Sequence, residues 1–170
     1  MLIQLNISDY TIVSGLEMEF SPGMTVITGE TGAGKSIMLD ALGLCLGDRA
    51  DPKAIRAGSD RAQIVASFDI SAIPAAAAWL EDRDLRIGNE CLLRRVITTE
   101  GRSRAYINGS ATTLQYCAEL GALLIDIHSK HAHQSQLRNP VKRQLQDAYA
   151  GMQPLASELE QLASDLLRAR

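Results

Sequence analysis

Eight consecutive residues carry the clearest chemistry in the chain: Gly29, Glu30, Thr31, Gly32, Ala33, Gly34, Lys35 and Ser36. They form a complete G-x-x-x-x-G-K-S run, the pattern of a phosphate-binding loop. Glycines at 29, 32 and 34 let the backbone curl until successive N–H groups point into one concavity that suits an anion. A helix leaving such a loop adds the partial positive charge of its N-terminus. Lys35 then reaches toward β- and γ-phosphates, and the Ser36 hydroxyl is a ligand for Mg²⁺. The pattern points to a chain that binds a nucleoside triphosphate.

The flanks fit that reading. Residues 24–28, an apolar run, read as a buried strand entering the loop, and residues 37–46 read as the helix leaving it. Upstream, residues 2–7, 10–13 and 16–20 alternate with a period of two, as strands do, and Ser21, Pro22 and Gly23 mark a turn. Downstream, residues 62–69 predict a strand, and Pro74 opens a short Ala-rich helix reaching Leu80, with Trp79 as a packing anchor. Residues 91–97 and 104–108 predict a hairpin, and Asn108-Gly109 a second tight turn. A short helix over 114–120 and a strand over 123–127 complete the pattern. Alternating strands and helices around a phosphate loop make this an α/β chain.

Composition narrows the class. A chain of 170 residues with 46% hydrophobic content can bury a sizeable core. Net charge is −3, so no global basic field advertises nucleic acid, and any such contact must be local or lie outside this chain. Cys45, Cys91 and Cys117 are scattered, with no C-x-x-C, and read as small core residues of a reducing compartment. No stretch approaches 18 apolar residues and the first residues read as a strand, so a soluble, cytoplasmic protein with no membrane contact is expected.

Phosphoryl transfer needs more than a cradle: a second Mg²⁺ ligand and a group that orients the nucleophile. Asp126, following the apolar residues 122–125, is the one candidate for that ligand. An enzyme complete within this chain would use it with arginines such as Arg102 and Arg104 clamping phosphates; alternatively Asp126 is a solvated residue at a strand end. His128, His131 and His133 stand close together, but no Cys, Asp or Glu completes a tetrahedral zinc set within the cluster. Met152, Leu155, Leu159, Leu162 and Leu166 follow at intervals of 3, 4, 3 and 4 behind Pro154. That is a heptad seam of barely two repeats, open to reading as an amphipathic surface helix or as the root of a coiled coil.

Taken together, these stretches resemble the N-terminal half of an ABC-type ATPase head of the SMC/RecF class. The resemblance is carried by residues 5–13 and 20–36, by 40–47, by 92–95, by Gly101 to Arg104 with Ile107 to Gly109, and by His128 with 131–134. It spans residues 1 to about 150 as one lobe of the head, with 151–170 matching the start of a coiled-coil arm. It implies a P-loop fold with a mixed or antiparallel β subdomain, and ATP and Mg²⁺ as cofactors. It further implies a head split in two, whose C-terminal half supplies the signature motif, the Mg²⁺-binding Asp and the catalytic Glu. The implied partners are that half, a second copy through ATP-sandwiched heads, and DNA through the full-length protein. The implied role is double-strand-break repair and recombination in the nucleoid-associated cytoplasm, with residues 1–170 alone not expected to turn over ATP. In that class the segment usually reads His-Gly-Gln-His, where this chain has His128-Ser129-Lys130-His131. The glutamine expected to touch Mg²⁺ therefore falls on Lys130, whose ammonium cannot coordinate a cation. Gln134 or Gln136 takes its place, or the contact is lost.

Overall fold

The computed structural model describes residues 1–28 and 34–125. Six antiparallel strands, β1 Leu2–Tyr10, β2 Val13–Glu19, β3 Arg61–Asp69, β4 Glu90–Thr98, β5 Ser103–Ile107 and β6 Ser110–Thr112, form one sheet in the order β2-β1-β3-β4-β5-β6. Three helices, α1 Lys35–Cys45, α2 Pro74–Glu81 and α3 Leu114–Leu124, complete the described elements with a 3-10 turn at Pro52–Ala54.

Strict alternation gives the sheet two unlike faces. Leu5 and Ile7 of β1, Ile64 and Phe68 of β3, Leu93 and Ile97 of β4, and Ile107 of β5 are buried on one face. Leu42, Leu44 and Cys45 of α1, Leu80 of α2 and Leu120 of α3 are buried with them. Each such side chain contributes about 1.5–3 kcal/mol of burial. The opposite face carries Gln4, Asn6, Gln63, Arg94 and Arg104, all at least partly solvated.

The hairpin joining β5 and β6 follows its sequence signal. Asn108 (φ 49°) and Gly109 (φ 85°) both adopt positive φ, as a type I′ turn demands. Asn108 also ties the turn to its surroundings: its Nδ2 donates to the Leu85 carbonyl at 2.7 Å, and its Oδ1 accepts from the Leu92 N–H at 2.8 Å.

Three expectations need correcting. Residues 10–13 do not extend one strand; Thr11 and Ile12 form the turn between β1 and β2. Residues 24–28 join no ladder, and Met24 and Val26 are 93% and 74% exposed. An apolar run becomes a strand only when neighbouring strands pair with it, and among the described residues none flanks this one. Leu123 and Leu124 are the last turn of α3, not the start of a strand. Leu124 continues the buried stripe of Cys117, Leu120 and Gly121, a spacing of 3 to 4 that only a helix satisfies. The strand's remaining positions from Asp126 onward lie outside the described residues, as does the heptad seam.

Two glycines set how closely α1 and α3 approach. Gly47, just past α1, has φ +104°, and a Cβ there would meet the Leu114 carbonyl oxygen at 2.8 Å and Ala118 Cβ at 2.9 Å. A Cβ on Gly121 would meet Leu46 Cδ2 at 3.0 Å.

All three cysteines are buried and free, as composition suggested. Burial pushes the Cys45 and Cys91 thiols up to about 12, which leaves them protonated and inert. Among them lies Arg95, the buried charged side chain of the described core at 1% exposure. Its Nη2 reaches the Asp48 carbonyl at 3.5 Å, while Nε and Nη1 have no hydrogen-bond partner. Desolvation lowers its pKa, and the nearby thiols of Cys117 and Cys45 and the Asp48 carboxylate act in the opposite direction.

Gly47→Ala should destabilise the fold by about 2–4 kcal/mol, because the conformation and the contact both penalise a methyl group. A urea midpoint indistinguishable from wild type would disprove the close approach. Arg95→Met keeps most of the volume and removes a poorly paired charge, so stability should hold or rise by about 1–3 kcal/mol. A clear loss in the same titration would show that the guanidinium is paired in solution.

Candidate nucleotide site

Helix α1 is anchored at one end and open at the other. Ala41, Leu42, Gly43, Leu44 and Cys45 are all buried, while Gly34, Ser36, Leu39 and Asp40 are exposed and Lys35 is half-buried. The core therefore holds the C-terminal half and presents the N-terminal turn outward. Gly34 is the N-cap, and its carbonyl accepts from the Met38 N–H at 3.1 Å. Among the described residues no side chain caps this end, and no acidic residue stands in the first turn. The partial positive charge of the helix start is consequently not neutralised by a carboxylate within that turn, the electrostatic condition for holding an anion.

Gly34 supports the same function. Its φ of −134° is open to any residue, and a Cβ there would meet nothing within 4 Å. Neither conformation nor neighbours demand glycine here. A bare backbone at this point can be approached closely, which suits a phosphate. Lys35 and Ser36 open the helix immediately after it, so their side chains start from the edge of that space.

The β1–β2 turn lies beside this helix. Tyr10, buried at the end of β1, has its pKa raised first by desolvation and second by the Asp40 carboxylate of α1. The turn itself is held in costly geometry, with Asp9 at φ 53° and the β-branched Thr11 at φ 52°. Three bonds over-determine it: Thr11 N–H to the Ala54 carbonyl at 2.6 Å, Arg56 N–H to the Asp9 carbonyl at 2.9 Å, and Ser59 Oγ to Asp9 Oδ1 at 2.9 Å. Thr11 Oγ1 is buried without a partner. Sequence reading missed this turn because Thr and Ile favour strands; Asp9 was the residue that could have marked it.

The remaining candidates divide. Gly29, Glu30, Thr31, Gly32 and Ala33 lie outside the described residues, as do Asp126, Lys130, Gln134, Gln136, His128, His131 and His133. Arg104 is described and does not meet the helix. It pairs with Val96 on the solvated face, whereas its neighbour Ala105 is buried on the face that carries α1. Arg102 is an exposed loop residue leading into the same strand, paired with Glu100 at 3.5 Å. The clamp of Arg102 and Arg104 on phosphates held at α1 is thereby ruled out: the sheet stands between them. Among the described residues no group of three or more His, Cys, Asp or Glu is placed to hold a metal, and no helix is long and apolar enough to cross a membrane.

Comparison with known proteins agrees with this geometry. Residues 4–108 match the model of a family described as AAA domain. The chain is 50% identical over 151 residues to the DNA repair protein RecN of Vibrio cholerae serotype O1, covering 89% of this chain and 27% of that one. It is 43% identical over 164 residues to RecN of Xylella fastidiosa (strain Temecula1), covering 96% and 29%, and 35% identical over 152 residues to RecN of Bacillus subtilis, covering 89% and 26%. The chain thus spans less than a third of the length of these curated relatives. Among solved structures it is similar to the Smc head domain with an extended coiled coil derived from Pyrococcus furiosus, with a TM-score of 0.63, 21% identity, and coverage of 99% and 46%. A chain from work on ATP-driven dimerization and DNA stimulated activation of SMC ATPases matches with a TM-score of 0.59, 22% identity, and coverage of 85% and 95%. These likenesses give the fold, the N-terminal half of an SMC-type P-loop head. The chain belongs to the AAA domain family, and its N-terminal-head sequence is similar to that of the RecN proteins.

Proposed function

We propose that this chain is the ATP-holding part of a RecN-like head that works in DNA double-strand-break repair and recombination. The observation that carries it is the exposed start of α1, with no side-chain cap among the described residues and no acidic side chain in its first turn, and with Gly34, Lys35 and Ser36 at its threshold. Residues 29–36 would wrap the triphosphate with backbone N–H groups. Lys35 would supply charge at the β/γ-phosphates, Ser36 the Mg²⁺ ligand, and Gln134 a second contact to the ion. Mg²⁺ supplies charge neutralisation when bound; the chain's own residues bind and orient.

The rest of the reading concerns the longer protein. Residues 1–150 would form one lobe, and 151–170 the beginning of a coiled-coil arm. The C-terminal half of the same head would provide the groups for hydrolysis. Two heads would close on sandwiched ATP, and DNA would be engaged by the full-length protein in the cytoplasm at the nucleoid. The exposed Met24 and Val26 suit this arrangement, since residues 24–28 would gain ladder partners from the other half of the head.

Lys35→Ala should abolish binding of a fluorescent ATP analogue, because backbone donors alone are left to hold a highly charged group. Wild-type affinity in that variant would sink the assignment. Ser36→Ala should weaken binding chiefly when Mg²⁺ is present, and Gly34→Ala should weaken it with the urea midpoint unchanged. Equal losses for Ser36→Ala with and without Mg²⁺ would make that hydroxyl structural.

The seam of Met152, Leu155, Leu159, Leu162 and Leu166 predicts that residues 1–170 self-associate when purified. Each apolar side chain left in water forfeits roughly 1.5–3 kcal/mol of burial. Leu159→Glu with Leu162→Glu should lower the light-scattering mass while leaving nucleotide affinity near normal. A cleanly monomeric wild-type chain that hydrolyses ATP unaided would reject the half-head reading.

A further inference from the structure

The solvated face of the sheet carries charges that do not meet within one molecule. Register lines up Glu17 of β2, Asn6 of β1, Val65 of β3, Arg94 of β4 and Tyr106 of β5 in a single row across the strands. Glu19 stands in a neighbouring row of the same edge, opposite Gln4, and Arg104 stands opposite Val96 on the far side. Arg94 and Arg104 belong to a half-open groove that Arg61 and Arg102 also line, with Asp60 and Glu100. Glu17 and Arg94 are three strand spacings apart, roughly 14 Å. That exceeds the screening length of about 8 Å at physiological ionic strength, so the two ends of the row do little for each other. Among the described residues no ion pair engages Glu17, Glu19, Arg94 or Arg104.

Between the two charged ends the same face is apolar. Val65 of β3 and Val96 of β4 are half-buried, and Leu92 of β4 is 37% exposed. The charged side chains on either side are already steadied. Gln4 Nε2 donates to Glu17 Oε1 at 2.8 Å, and the Arg94 guanidinium lies 4.0 Å from the Tyr106 ring centroid. Acid at one end, apolar middle and base at the other make a pattern complementary to itself. A second copy given a half-turn about an axis parallel to the strands, between β1 and β3, sets β2 of each copy over β4 of the other. Glu17 of each copy then faces Arg94 of the other, and Val65 lies beside the axis. Packed sheets stand about 10 Å apart, a gap that opposed arginine and glutamate side chains span.

We infer that this sheet face docks a second copy of the chain about a two-fold axis, through reciprocal Glu17–Arg94 ion pairs around a patch of Val65, Leu92 and Val96. The contact lies on the face opposite α1, so it needs no nucleotide and is separate from the ATP-sandwiched pairing proposed above. It rests on charge and register, and stands or falls independently of the nucleotide reading. A two-fold contact uses one patch twice and closes at two copies. Complementary charge sets the register of the pair, and salt weakens it.

The test is analytical ultracentrifugation of the 170-residue chain without nucleotide, at low and high salt, with Leu159→Glu and Leu162→Glu present to silence the seam. A dimer that weakens as salt rises is expected. Glu17→Arg alone and Arg94→Glu alone should each weaken it about tenfold or more, because two attractive pairs become repulsive. Mixed in equal amounts, these two variants should associate again, since each reversed charge then faces its opposite. Should Arg94→Glu fail to fold, Arg94→Gln replaces it, and its mixture with Glu17→Arg should still associate better than Glu17→Arg alone. Lys35→Ala should leave the dimer unchanged, which separates this contact from the ATP-sandwiched one. A chain that is monomeric at low salt overturns the inference. So does a mixture that stays monomeric while each variant keeps the wild-type urea midpoint, or an association that neither reversal changes. Loss on Arg94→Glu with no effect of Glu17→Arg also overturns it, and would leave the arginines to some other acidic partner.

Discussion

The arrangement turns on how α1 is buried along its length and not around it. Five consecutive residues, Ala41 to Cys45, sit inside the core, whereas the first turn meets solvent. A helix amphipathic around its axis lies flat on a sheet with both ends equally placed. This one is driven in end-first, so hydrophobic burial fixes the C-terminal half and the orphan amides of the other end are aimed outward. The burial lies far from the open end of the helix, and that end gains rigidity without its own first residues being needed for packing. Gly34 illustrates the separation: nothing in the fold requires it.

That anchoring depends in turn on close approach at the C-terminal end. Gly47 and Gly121 let α3 and the end of α1 meet at a distance that side chains would forbid, and α3 closes over the Cys45–Arg95 region. Arg95 is the anomaly in this layer. A guanidinium at 1% exposure with two nitrogens unpartnered costs several kcal/mol that nearby thiols do not repay. The carbonyl of Asp48 fixes one nitrogen only.

How much of this was legible beforehand followed from which interactions decide each element. Strands β3 and β4 were readable because each pairs on both sides and alternates strictly, so local pattern and tertiary context agree. The Asn108-Gly109 turn was readable because its positive φ values admit few residue types. Residues 24–28 misled because apolar content was taken as burial, while a strand exists only through partners that the pattern does not name. The α3 terminus misled because a short apolar run fits either period. Leu124 went to the helix by matching Cys117 and Leu120, a relation visible only once the helix is placed. Of the phosphate loop itself, the helix start was legible and is seen. Alternation along residues 91–97 also put Arg95 on the apolar side, a signal that was present and passed over.

The two faces of the sheet let one set of strands hold a core on one side and vary in charge on the other. Burial on the inner face is uniform enough to fix α1, and the outer face is left to vary in charge, from Glu17 and Glu19 at one edge to the arginines of β3, β4 and β5. Period-two alternation makes these choices independent, since changing Arg104 leaves Ala105 and Ile107 in place against the core. Arginines gathered on the inner face would have cost the core its burial. Placed outside, they add charge at the expense of nothing that holds the fold. The sheet is one layer thick, so β3 and β4 present these outer side chains from the same strands that carry α1 on the inner face.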